Sequence, residues 1–170
     1  MEKWIGILLI LLGAAAGVWQ WRSENVERQN HLRGWILFLH RASYAMEEKQ
    51  NMTELFSEFQ SEDVLLQKTL ELVVAYMRQN CYPSGEMLWK RALRVMEWNK
   101  QVSTEQMRIL DSLGNAFFGR NRAELRALID MAYAQLEDCL AEEQMRFAKN
   151  QRTVMPVGML GSVLLILLLL

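Results

Sequence analysis

Residues 154–170 read VMPVGMLGSVLLILLLL, a run without a charged side chain that closes on seven consecutive leucine or isoleucine residues. A helix over this stretch is apolar on every side and has no face to offer water, so burying it calls for lipid or for the centre of a large core. A core helix is the competing reading, but core helices usually keep one polar stripe, and a chain of 170 residues is small for a core that size. As a helix the run is roughly 25 Å long, at the short end of what crosses a hydrocarbon layer of about 30 Å. It reads as a spanning helix, with the chain's carboxylate expected at the far interface.

Working outward, Trp4–Trp21 is a second uncharged run, bounded by Trp4 on one side and by Trp19 and Trp21 on the other, in the manner of an interfacial aromatic belt. A secretory signal peptide is the rival, because Lys3 precedes the apolar run and Ala14, Ala15 and Ala16 imitate a cleavage site. Charge placement separates the two. Arg22, Arg28 and Arg33 follow the first run and Arg146, Lys149 and Arg152 precede the last, against Lys3 alone on the outer tails. Positive charge collects on the cytoplasmic side of spanning helices, so residues 22–153 are expected in the cytoplasm, with both termini across the cell membrane. The expected organisation is an external tail at 1–3, a transmembrane helix at 4–21, a cytoplasmic domain at 22–153 and a transmembrane helix at 154–170.

The segment between the runs suits one modest domain. A formal net charge of −1 and the lack of a basic block leave no nucleic-acid footprint. Cys81 and Cys139 are isolated and fit free thiols in a reducing cytosol. Clean alternation is missing and only two prolines occur, so the domain reads as all-α, a helical bundle. The first helix is expected to run unbroken to about Glu48, carrying Leu32, Trp35, Ile36 and Leu39. Asn51 with Glu54 has capping-box spacing for a short helix, and Ser61 is expected to cap the next, which carries Leu66, Leu70, Val73, Val74 and Met77. A turn at residues 81–85 leads to a helix from Glu86 to Trp98, and Ser103 with Gln106 opens another that stops at Gly119. The last soluble helix, Arg122–Gln151, lines up Leu125, Leu128, Ile129, Ala132, Leu136, Cys139, Leu140 and Phe147.

Little chemistry is visible. His31 and His40 are nine residues apart, which does not stack two ligands on one helix face, and no further ligand pattern accompanies them. The phosphate-binding loop, the dinucleotide fingerprint and the nucleophile elbow are all missing. No catalytic, cofactor or metal residue is assigned, and any ATP-driven work is expected to come from a separate partner. The residues singled out are structural. Gly13 and Gly17 form a small-residue face on the first run, and Gly158 and Ser162 form one of equal spacing on the last, at matching depths from the cytoplasmic edges. They are expected to pack the spanning helices as a hairpin, with homodimerisation of the first helix as the rival.

Several short patterns resemble the stage III sporulation protein AB family of endospore-forming bacteria. They are Leu110, Leu113-Gly114, Phe117, Arg122 and Leu136, then Gly158-Met159-Leu160-Gly161 leading into Leu164–Leu170, with Trp89 and Leu93 upstream and Glu27-Arg28 before Leu32-Arg33. The resemblance implies a place in the channel complex that the mother cell builds in the membrane facing the forespore. It also implies a cytoplasmic domain like that of type II secretion and type IV pilus platform proteins. Such a protein is a non-enzymatic adaptor between a cytosolic secretion-type ATPase and ring-forming membrane proteins, with the lipid bilayer as its third partner. A small membrane-anchored enzyme and a generic membrane-anchored helical scaffold or signalling protein are the alternatives from other classes.

Overall fold

Leu32, Trp35, Phe38, Leu39, Ala42 and Ala45 recur at three- and four-residue spacing and are all fully buried, so one stripe of a single long helix supplies the spine of the core. That helix, α1 (Glu2–Glu47), is followed by α2 (Met52–Glu58), α3 (Val64–Gln79), α4 (Gly85–Val95), α5 (Trp98–Gln101), α6 (Thr104–Phe118) and α7 (Arg122–Leu169). The computed structural model describes the backbone of residues 2–48, 50–79, 82–119 and 122–169, and side chains for 12–13, 15–48, 50–79, 82–119 and 123–151. Among the described residues there is no strand, and the expected all-α bundle is the fold.

The chain divides into two compact units, residues 30–141 and the pair of terminal stretches 1–29 and 142–170. In the first unit α4 packs on α6, α3 and α5, and α3 packs on α2. The core is aromatic. Trp35 meets Phe38, Trp89 and Trp98 edge-on, with ring centroids 5.2–6.0 Å apart, and Phe56 and Phe117 close the cluster over Phe38 and Trp89. Gly114 permits the close approach of α6 to α4, since a Cβ there would lie 3.2 Å from Trp89 Cδ1 and 3.4 Å from the Glu86 Cα. Trp89 Nε1 then donates to the Leu110 carbonyl at 2.7 Å, which satisfies the buried indole.

Local chemistry explains most boundaries. Asn51 accepts from the Thr53 N–H and starts α2, and Ser84 accepts from Met87 and starts α4. Ser103 and Gln106 form the expected reciprocal capping box at α6. Three expectations are corrected. Asp63 rather than Ser61 opens α3, because its carboxylate accepts the Leu65 and Leu66 N–H groups, while the Ser61 hydroxyl accepts from Asp63 N. The helix expected from Glu86 to Trp98 breaks at Glu97, whose φ of 55° is left-handed, and Trp98 begins the separate turn α5. Leu128, expected in the stripe of α7, is instead 38 % exposed beside the buried Leu125, Ile129, Ala132 and Leu136.

Among the described residues no helix is long and apolar enough to cross a membrane. The expected span at 154–170 and most of the first half of the span at 4–21 lie outside the residues whose side chains are described. Within the terminal unit, Trp21 stacks on Phe147 with centroids 5.2 Å apart and an interplanar angle of 19°.

Candidate functional site

Two places in the bundle bring polar chemistry together. The first is a buried relay between α1, α3 and α5. His31, one-tenth exposed at its side chain, meets the nearly buried Asp63 carboxylate at 2.8 Å through Nδ1 and packs edge-on against Trp98. Trp98 Nε1 donates to the Thr69 hydroxyl at 2.7 Å, and that hydroxyl donates to the Leu65 carbonyl. Burial pushes the Asp63 carboxyl up, but the His31 hydrogen bond and charge and the Leu65 and Leu66 N–H groups outweigh it, leaving it below its ordinary value. Asp63, Thr69 and the Trp98 indole each have a partner, so the arrangement ties α1 to α3 and α5.

The second is a half-open cleft of about 330 Å³ between α1 and α2. Leu55 and Phe59 supply apolar walls, and His40, Arg41, Gln50 and Glu58 supply the polar rim, with Gln50 Nε2 donating to Glu58 at 3.3 Å. Close by, α1 is fastened to α7. Ser43 donates to Asp130 at 2.6 Å, Arg126 pairs with Glu47 and with Asp130, and the His40 and Tyr133 rings lie 6.1 Å apart. The cleft offers one imidazole, one guanidinium and one carboxylate around an apolar floor. These are groups that hold a peptide side chain, and neither a cysteine nor a serine lines the space.

Among the described residues no group of three or more His, Cys, Asp or Glu is placed to hold a metal ion. The two histidines are dispersed, one in the relay and one on the cleft, in keeping with packing and surface roles. Gly13 and Gly17 are exposed, and a Cβ on either meets no described atom within 4 Å. Their expected partners Gly158 and Ser162, and Cys81, lie outside the described residues.

The family model of stage III sporulation protein AB matches residues 3–170, nearly the whole chain. The chain belongs to the stage III sporulation protein AB family. Comparison with curated proteins and with solved structures gave no match. Membership in the stage III sporulation protein AB family gives the chain a sporulation-related role. In this family member most residues that carry the resemblance within the bundle are core residues: Leu32, Trp89, Leu93, Leu110, Leu113 and Leu136 are fully buried and Gly114 and Phe117 nearly so, while Arg33 is exposed. Those on α4, α6 and α7 form the α4–α6 contact and its neighbour on α7, so the recognisable pattern is a packing pattern. The relay had one faint sequence signal, an Asp directly before the apolar run that opens α3. The cleft had none, because its residues come from stretches ten to twenty positions apart.

Proposed function

We propose that this member of the stage III sporulation protein AB family is a non-enzymatic membrane platform of the channel complex between mother cell and forespore. In this reading it spans the mother-cell membrane at residues 4–21 and 154–170 and holds its bundle in the cytoplasm. There the bundle couples a cytosolic secretion-type ATPase to ring-forming membrane proteins. The observation that supports it most is the architecture of the two longest helices. α1 and α7, of 46 and 48 residues, both run from the bundle into a separate terminal unit that contains the two uncharged runs. A cleft with neither a cysteine nor a serine in its lining suits docking better than turnover.

The test is thiol labelling in sporulating cells, with cysteine introduced at the exposed Met131 of a chain lacking Cys81 and Cys139. A membrane-impermeant maleimide should leave intact cells unlabelled and react fully after lysis, and the tagged chain should copurify with the cell's secretion-type ATPase. Labelling of intact cells removes the topology, and copurification of the ring proteins without the ATPase removes the coupling role.

A further inference from the structure

Helix α4 turns one face away from the bundle, and that face is basic. Leu88, Trp89, Ala92 and Leu93 are buried, which at helical spacing leaves Met87, Lys90, Arg91, Arg94 and Val95 on the outside. Met87 is 54 % and Val95 44 % exposed, so apolar surface is mixed with the charge. Lys90 is taken by Glu86 at 2.6 Å, while Arg91 and Arg94 make no ion pair among the described residues. On α6 the half-buried Asp111 carboxyl is pushed up by burial, against the opposing charges of Lys90 and Arg94.

The opposite pattern occurs on the same unit. Glu54 and Glu58 stand one turn apart on α2 and Glu62 follows in the non-helical segment after it, all exposed and none in an ion pair among the described residues. Val64, 64 % exposed, closes this stretch as Met87 and Val95 flank the other. Phe56 of α2 reaches Trp89 of α4 with ring centroids 6.2 Å apart, so the two helices meet in the core and carry their exposed charges outward. No ion pair joins Arg91 or Arg94 to Glu54, Glu58 or Glu62 among the described residues.

We propose that the basic face of α4 docks on the Glu54–Glu58–Glu62 face of a second copy of this chain, head to tail. The contact pairs two different patches, so it propagates from copy to copy and builds a ring or an open row, according to the rotation it imposes. Charge supplies the register and the approach, and Met87, Val95 and Val64 supply apolar area to bury. An anionic bilayer would match the basic face alone and would leave the acidic one without a role.

The experiment weighs the full chain in neutral detergent by sedimentation, with helix content checked by circular dichroism. The native chain should gain mass with concentration at low salt and lose it at high salt. R91E/R94E and E54R/E58R should each stay single, because each then carries two faces of like sign. An equimolar mixture of the two should associate again, since every reversed face meets its complement. R91Q/R94Q replaces the first variant should that chain fail to fold, and it too should lose association. A native chain that stays single at every concentration overturns the proposal, as do reversed variants that keep their mass and a mixture that does not recover. Loss of binding to phosphatidylglycerol vesicles by R91E/R94E, with the native chain still single in detergent, assigns the face to lipid and equally overturns it.

Discussion

Asp63 does two jobs with one carboxylate, capping α3 through the Leu65 and Leu66 N–H groups and pairing with His31 on α1. Its folded carboxyl is held below the ordinary value. The stability it contributes is therefore complete above the unfolded carboxylate range, about pH 4, and is lost as pH falls through the folded value. Asp63→Asn keeps an oxygen for the cap and removes the charge. Its urea midpoint should lie below that of the native chain at pH 7, and the gap should narrow between pH 5 and pH 3. A gap independent of pH would mean that the charge contributes nothing. Glu97 poses the reverse case, since its left-handed backbone strains a side chain that only reaches the exposed Lys100. Glu97→Gly should raise stability by about 0.5–1 kcal/mol, read as a higher thermal midpoint. The relay and this break were the features hardest to read in the sequence. A carboxylate that finds a histidine 32 positions away leaves no local pattern. Glutamate is a good helix former, so the chain between Glu86 and Trp98 looks continuous until Trp98 is seen to need the Thr69 hydroxyl.

At the scale of elements, periodicity carried further than chemistry did. The stripes on α1, α3 and α6 were legible because each buries one face, and the Ser103–Gln106 box was legible because its two hydrogen bonds lie within one turn. What stayed hidden was which stripe meets which. That depends on close approach at Gly114, where α6 lies against Trp89 and the α4 backbone. Gly114→Ala tests this contact. The added methyl gains helix propensity, but it meets Trp89 at 3.2 Å and a backbone carbon at 3.4 Å, and backbone does not yield as a side-chain tip does. Overpacking should win, with a net loss of about 1–3 kcal/mol by denaturant titration. A gain in stability would mean that α4 and α6 slide apart without cost. The cleft between α1 and α2 was illegible for the same reason, since its walls come together only once α2 is seated on α3.

For the whole molecule, the uncharged runs at both ends set the expectation of a bundle between two anchors, and the contacts group those ends as one unit. Its one described aromatic contact, Trp21 on Phe147, fixes how the two stretches align. Helices running in opposite senses advance equally, so four residues up from Trp21 and four on from Phe147 set Gly17 at about the level of Gln151. Pairing Gly17 with Gly158 needs a register about seven residues further along, two helical turns or about 10 Å away. Cysteine pairs at 17 and 151, and at 17 and 158, in full-length chains lacking Cys81 and Cys139, separate the alternatives in native membranes. The first pair should crosslink within one chain under a short bismaleimide and the second should not. Trp21→Ala, which removes half of the stack, should lower the first yield. Crosslinking at 17 and 158 alone would restore the small-residue hairpin. Crosslinks formed only between chains at position 17 would make the exposed glycine face of α1 a contact between copies, with the aromatic stack left to hold the rim.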